Sequence, residues 1–285
     1  MKAQITLTVN EAKRLIAKGL AAHPAVRKAL AGGRIFLKGG TTVSAVAEEL
    51  VGRPLRISGR ISPRGAKTAA DAGGGFHCAL IENGELLDIE DRLPEVVAGL
   101  GGDDVAITGA NAIDVYGNAA LMFGAPGGGG PGIIIAGLMG EIPNVFIAAG
   151  LEKLVPGPLT AVTPRAARKG VGLSMGMAVG LTPLAGAIIS EDRALALLAP
   201  VEVTVIGRGG LWGAEGATTL LIEGEEGPVR EVFRLAQAVK GAQPSGTERS
   251  RAECAFPHAK CRGHVACMYK RRQAPAGPEP GQGAE

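Results

Sequence analysis

Short apolar runs that end in glycine alternate with amphipathic segments along the first part of the chain. The runs at 34–38, 104–108 and 144–150 each predict a buried strand. After the first run and its Gly-Gly turn, Thr41 or Thr42 begins a predicted helix. Strands that alternate with helices in this way predict an α/β fold with a doubly wound, mostly parallel sheet.

Flanking segments extend this pattern. Asn10 is expected to be the N-cap of a first helix that runs to about Leu20. Residues 55–61 predict a further strand. The pair Asn83-Gly84 stands between two apolar runs and predicts a β-hairpin, since this dipeptide favours the tight turn that joins antiparallel strands.

The second part of the chain has a different character. Residues 171–190 are uncharged and long enough to span a bilayer, but their glycines and Pro183 favour a glycine-packed helix and strand inside a core. Residues 201–210 and 217–225 predict strands, and Pro228–Lys240 predicts a helix. The predicted divisions are an α/β domain (1–160), an α+β segment (161–241), a Cys/His-rich tail (242–272) and a disordered end (273–285).

Composition narrows the classes of function. The chain has 285 residues, of which 46% are hydrophobic, and this is enough to fill a substantial core. The formal net charge of +3 is too weak and too scattered to predict nucleic-acid binding. The amphipathic start is unlike a signal peptide, so we expect a cytoplasmic protein. We also expect a homo-oligomer that has neither nucleic-acid nor membrane partners.

Candidate ligand-binding residues follow the first of the three strands. Gly39, Gly40, Thr41 and Thr42 place backbone amides, two hydroxyls and a helix N-terminus directly after it. Unpaired amides and the positive end of the helix dipole stabilise an anion. The alternative is that a threonine merely caps the helix.

The second strand is followed by further candidates. The first of these candidates are Gly109, Asn111 and Asp114. The next are Gly128 and Gly129, which belong to a run of four glycines that lets the backbone approach a ligand closely. Asp114 is the candidate catalytic base, since proton abstraction next to a carbonyl needs a carboxylate. The alternative is that it caps the next element.

The third strand is followed by Glu152 and Lys153. Lys153 could neutralise an anionic ligand, or it could form a surface ion pair with Glu152 or another residue.

The motif DDVAITGANAID, followed by GNAALMFGAPGGGG, resembles a loop of the superfamily that joins ribose-5-phosphate isomerase A, glucosamine-6-phosphate deaminase and the CoA transferases. The segment LKGGTTVSAVAEEL is similar to that superfamily's first glycine-threonine loop, which grips a phosphate or a CoA pyrophosphate. The segment at 144–159, NVFIAAGLEKLVPGPL, also resembles a sequence motif of the lactate-utilisation (LUD) domain. The resemblance implies an α/β fold and a small anionic ligand: a phosphosugar, a nucleotide or an acyl-CoA.

The isomerase's acidic residues are missing from this motif. Thr108 and Asn111 stand where the isomerase motif has aspartates, and Ala112 stands where it has a further acid. We therefore expect no ribose-5-phosphate isomerase activity. The hypotheses that stay open are an enzyme that converts the anionic ligand and a non-catalytic sensor or assembly protein with a metal- or redox-responsive tail.

The tail carries the sharpest chemical signal outside the predicted sheet. Cys254, His258, Cys261, His264 and Cys267 follow one another at intervals of four, three, three and three residues. Thiolate and imidazole ligands at this density predict a zinc site of three cysteines and one histidine, or an iron–sulfur cluster. The alternative is a flexible tail with unligated cysteines.

Overall fold

The computed structural model describes residues 1–69, 74–254 and 259–272. The strands of the described chain are β1 (Lys2–Leu7), β2 (Arg34–Lys38), β3 (Gly59–Ser62), β4 (Gly65–Thr68), β5 (Cys78–Glu82), β6 (Glu85–Asp88), β7 (Val105–Gly109), β8 (Ala112–Ile113), β9 (Ala119–Phe123), β10 (Asn144–Ala148), β11 (Gly180–Leu184), β12 (Ala187–Ile189), β13 (Glu202–Arg208) and β14 (Thr218–Glu223). The helices are α1 (Val9–Ala22), α2 (Pro24–Gly32), α3 (Thr41–Val51), α4 (Leu93–Gly99), α5 (Gly129–Ile133), α6 (Ile135–Glu141), α7 (Leu159–Val162), α8 (Glu191–Leu198), α9 (Glu226–Ala238) and α10 (Glu248–Arg251).

A six-stranded mixed sheet organises the fold, with the order β12-β10-β7-β2-β5-β6. The first four strands are parallel, and the hairpin β5–β6 adds two antiparallel strands beside β2. Lys38 lies opposite Thr108, and Gly109 lies opposite Ala148. The strands predicted from the apolar runs are thus confirmed, and β2, β7 and β10 end together at one edge.

Helices cover both faces of this sheet, because its central strands are buried on both sides. Ile35 and Leu37 of β2 pack in a core with residues of α1, α2, α3 and α8. Phe36, between them, faces the other way, into a core with α4 and α6. This two-sided arrangement confirms the predicted α/β class.

A second sheet joins the first strand to two strands from the second half of the chain. β1 pairs antiparallel with β14, which pairs with β13, and α9 packs against them. β12, from the second half of the chain, lies at the edge of the main sheet. Segments 1–160 and 161–241 therefore share both sheets.

Two local predictions need correction. Thr8, not Asn10, is the N-cap of α1, because its hydroxyl accepts from Glu11 N while the Glu11 carboxylate accepts from Thr8 N. Strand pairing in the predicted strand 55–61 begins only at Gly59. The hairpin around Asn83-Gly84 is confirmed as β5 and β6.

The predicted glycine-packed helix within 171–190 is wrong, whereas the predicted strand is present as β11 and β12. The backbone of this segment bonds to distant parts of the chain instead of to itself. Met177 N donates to Ala66 O at 2.8 Å, and Ser174 N donates to Ala266 O at 3.1 Å. No helix in the described part of the chain is both long and apolar enough to cross a bilayer.

Candidate functional site

The turn between β2 and α3 lies at the carboxyl edge of the main sheet. Gly39 N donates to His77 O at 2.6 Å, and a Cβ at Gly39 would lie 2.7 Å from His77 Nδ1, so only glycine fits here. Gly40 is the N-cap of α3 and supplies no side-chain acceptor to the first turn. The first amides of an eleven-residue helix therefore face this edge without a side-chain cap.

Lys38, the last residue of β2, is a buried cation at the same edge. Only 6% of the residue is exposed, and among the described residues its ammonium group has no hydrogen-bond or ion-pair partner. Burial lowers the pKa of Lys38, and the neighbouring Cys78 opposes this shift only in part.

The titratable groups closest to Lys38 are neutral. Burial, together with the charge on Lys38, lowers the pKa of His77 to about 3, so that its imidazole is uncharged at neutral pH. Burial also raises the pKa of Cys78 to about 11, so that this thiol stays protonated. Neither neighbour supplies a negative charge to balance the lysine.

Thr42, in the first turn of α3, adds a second unsatisfied group. The residue is 2% exposed, and its buried hydroxyl oxygen has no hydrogen-bond partner in the described structure. Buried hydroxyls are normally hydrogen-bonded. Thr42 and Lys38 therefore leave polar groups unsatisfied at the turn around Gly39 and Gly40.

The end of β10 leads into a cluster of opposite charges. Lys153 Nζ lies 4.0 Å from Glu152 Oε1, and both Glu152 carboxylate oxygens are buried without a hydrogen-bond donor among the described residues. Burial lowers the pKa of Lys153, while Glu152 and Glu191 act against this shift. Burial and the charge of Lys153 lower the pKa of Lys13, in α1, to about 8. The ion pair with Glu152, which is the predicted alternative to ligand binding, is thus present, and Lys153 is partly buried in a cluster of mixed charge.

Asn111 and Asp114 belong to a hairpin that leaves the main sheet. β8 and β9 form this hairpin within a separate sheet with β11, and Asn111 Oδ1 accepts from Met122 N at 3.0 Å. Asp114 accepts four hydrogen bonds, from Tyr116 N, Asn118 N, Asn118 Nδ2 and Leu159 N. Gly109 is the only member of this group that lies at the end of a main-sheet strand.

These hydrogen bonds determine the acidity of Asp114. Burial alone would raise its pKa, but the hydrogen bonds from Leu159 and Asn118 outweigh that effect and lower the pKa. A carboxylate with a lowered pKa and four donors is poorly suited to take a proton. The observed contacts give Asp114 the role of holding the β8–β9 turn against α7.

The glycine run borders a different cavity. Gly127, Gly128 and Gly129 all adopt left-handed backbone, with φ of 60°, 80° and 68°, which explains the run of glycine. Gly127 and Gly128 line a cavity of about 270 Å³ together with Arg168. The guanidinium of Arg168 donates to the Gly124 carbonyl at 3.1 Å. This cavity lies next to the sheet formed by β8, β9 and β11, apart from the turn that contains Gly39 and Gly40.

Four of the five predicted metal ligands, three cysteines and one histidine, line the same cavity. Cys254, Cys261, Cys267 and His264 all line one small cavity, and the cysteines form no disulfide. Within the described residues, no three His, Cys, Asp or Glu side chains are close enough to hold a metal ion as they stand. His258 lies outside the described residues.

Two residues at the carboxyl edge, Lys38 and Glu152, were not predicted as site residues from the sequence. Lys38 is not among the predicted candidates, and Glu152 appears among them only as a partner of Lys153. A usable signal exists for the first, since a charged residue ends an otherwise apolar strand immediately before Gly-Gly. No comparable signal exists for Glu152, whose burial depends on α1 and the loop around Gly216.

Comparison with known proteins adds little. No protein-family model matches the chain, and no curated protein matches it. A solved structure, ribose 5-phosphate isomerase A from Neisseria gonorrhoeae, is similar at 15% identity over 84% of this chain and 88% of that chain, with a TM-score of 0.27. At so low a TM-score, function has to be argued from this chain's own residues.

Proposed function

We propose that the protein binds a small anionic ligand at the carboxyl edge of β2 and β7, with Lys38 as the charge partner. The observation that carries this proposal is Lys38, a residue only 6% exposed whose ammonium group has no counter-charge among the described residues. An unpaired buried charge is unfavourable, and buried charges are normally paired. A bound phosphate or carboxylate would supply the missing partner.

Two neighbouring groups support an anion rather than a neutral ligand. The first-turn amides of α3 carry the positive end of the helix dipole and have no side-chain cap at Gly40. The buried hydroxyl of Thr42 can donate one more hydrogen bond. Amides, a hydroxyl and an ammonium group are the donors that bind a phosphoryl group, which phosphosugars, nucleotides and acyl-CoA share.

We further propose binding without the ribose-5-phosphate isomerase reaction. Asp114 is engaged by four donors, and Thr108 and Asn111 supply no base. This favours the ligand sensor over an enzyme that abstracts a proton with Asp114. Turnover of ribose 5-phosphate that is lost in Asp114→Asn would overturn this part of the proposal.

Calorimetric titration at low ionic strength tests the anion site. Wild type is titrated with ribose 5-phosphate, CoA and inorganic phosphate, and compared with Lys38→Met. Loss of a charged hydrogen-bonding partner weakens binding by about 10- to 100-fold. The matched control is Lys28→Met, because Lys28 forms an exposed ion pair with Asp103, before the start of β7. Equal affinities of wild type and Lys38→Met for every probe would refute the site.

A further inference from the structure

The cysteine-bearing tail is built into the fold. Ser174 N donates to Ala266 O at 3.1 Å, Ala178 N to Val265 O at 3.0 Å, and Met268 N to Ser174 O at 3.0 Å. The tail thus pairs with the segment that precedes β11. The predicted alternative of a flexible tail does not describe residues 259–272, whose backbone is held on both sides of Cys267.

The three tail cysteines line one small, partly open cavity. Cys254, Cys261 and Cys267 line a cavity of about 20 Å³ together with His264, and Tyr269 forms part of its wall. Cys261 and Cys267 are buried, at 6% and 8% exposure. Cys254 is partly buried at the same cavity.

The backbone next to one of these cysteines is strained. Ala266 has a φ of 56°, a left-handed conformation that is unfavourable for a residue with a Cβ. Strain of this kind persists where surrounding structure enforces it, commonly at functional sites. Here the enforced turn directly precedes Cys267 and positions it at the cavity.

Cations surround the cavity. Lys67 is 4% exposed and pairs with Glu253 at 2.7 Å. Arg60 lies near Glu253 and Cys254, and its Nη1 atom is buried without a hydrogen-bond partner in the described structure. Glu253 already pairs with Lys67, so the charge near Cys254 that a thiolate would complement is that of Arg60.

We propose that Cys254, Cys261, Cys267 and His264 bind a single zinc ion. Three thiolates and one imidazole complete a tetrahedral zinc site, with sulfur about 2.3 Å from the metal. The cavity offers room for one ion, and this argues against an iron–sulfur cluster. Since the side chains do not yet converge at ligand distance, binding draws the sulfurs inward from the cavity wall.

The site is independent of the proposed anion site and has a different task. Its ligands come from the tail, while the cavity wall includes Ala66 and Thr68 of β4 and Gly176 and Met177 before β11. A metal bound here fastens the tail to two segments that are distant in sequence. Part of the free energy of zinc binding would therefore appear as folding stability.

Zinc and cobalt titrations of the full chain test this inference. The protein is first stripped with a chelator and kept reduced. After zinc is added back and the excess is removed, we expect elemental analysis to find one equivalent of zinc. Cobalt added instead should give a thiolate-to-metal charge-transfer band and the visible bands of a tetrahedral site. Less than about 0.1 equivalent of zinc, or cobalt without thiolate bands, would overturn the proposal.

Matched variants assign the ligands. Cys261→Ser should lose zinc, and His264→Ala should weaken its affinity, whereas Cys78→Ala should keep one equivalent because Cys78 lies in the main sheet. If Cys261→Ser fails to fold, Cys267→Ser replaces it, and the cobalt spectrum of the wild type still decides. Retention of a full equivalent in both serine variants, or an iron–sulfur absorption spectrum after anaerobic reconstitution, contradicts the zinc assignment.

Discussion

The two ends of β2 and β7 differ in whether their buried charged residue has a partner. At the amino end, Asp104 accepts hydrogen bonds from Arg34 N at 2.8 Å, from Arg34 Nε at 3.1 Å, and from Gly101 N at 2.8 Å. At the carboxyl end, Lys38 lies beside Thr108 and has no such partner among the described residues. We call the amino end, where Asp104 pairs with Arg34, the closed end. We call the carboxyl end, where Lys38 has no partner among the described residues, the open end.

This difference separates stability from function along the same pair of strands. A buried charge with all its partners in place holds the fold together, and removing one partner is costly. A buried charge without a partner destabilises the free protein and is explained by a ligand that completes it. Variants at either end should therefore differ in their effects on stability and on anion binding.

The largest effect is expected at the closed end. Asp104→Ala leaves the Arg34 guanidinium and two amides without their acceptor, so the free energy of unfolding should fall by about 3 kcal/mol. Urea unfolding measures this loss, and anion affinity should stay unchanged. Asp103→Ala is the control, because Asp103 forms only an exposed ion pair with Lys28 and should cost less than about 0.5 kcal/mol. Equal costs for the two variants would contradict the assignment.

The next largest effect is expected at the open end, with the opposite sign. Lys38→Met keeps the aliphatic length and removes the unpaired charge, so the free energy of unfolding of the ligand-free protein should rise by about 1–2 kcal/mol. Anion binding should weaken by about 10- to 100-fold in the same variant. A loss of more than about 1 kcal/mol of stability would show that Lys38 has a structural partner.

A smaller effect is expected at the hydroxyl beside it. Thr42→Val keeps the shape and removes a buried hydroxyl that has no hydrogen-bond partner in the described structure, so stability should rise by about 1 kcal/mol. Phosphate affinity should fall several-fold. Thr41→Val serves as the control for stability, because Thr41 is only partly buried and should gain nothing. A loss of stability in Thr42→Val alone would mean that this hydroxyl has a partner in solution.

The smallest effect is a pH dependence of the free energy of unfolding, which rises with pH at both ends but in acid at one end and in base at the other. Burial would raise the pKa of Asp104, but the hydrogen bonds from Gly101 and Arg34 outweigh it and keep the pKa below 3.8. The stabilisation by Asp104 is therefore complete above pH 3.8 and is lost as the pH falls through the lowered value.

Lys38 acts in the same direction, in the alkaline range. Because burial lowers its pKa below 10.5 in the folded state, the destabilising charge is fully present below that lowered value. It disappears as the pH rises toward 10.5. Unfolding curves of the wild type against pH, compared with Asp104→Asn in acid and Lys38→Met in base, should show each slope removed by one variant. A slope that survives in its own variant belongs to another group.

Local patterns determined much of the fold. The apolar runs that end in glycine predict β2, β7 and β10, and the pair Asn83-Gly84 predicts the hairpin, because each depends on neighbours along the chain. The parallel order of these strands at least brings Gly39 and Gly109 to one edge. The meeting of the tail cysteines around one cavity was also predictable, since short loops join them.

Tertiary contacts decided what the sequence by itself could not. β1 pairs with β14 across the chain, as in the contact between Thr6 and Thr219, 213 residues apart. Residues 171–190 form strands because their backbone pairs with distant segments, and Asp114 becomes a structural anchor only because Leu159 N reaches it. Whether a charge has a partner is likewise a matter of three-dimensional neighbours: Arg34 and Lys38 are four residues apart in one strand, yet only Arg34 meets a carboxylate among the described residues.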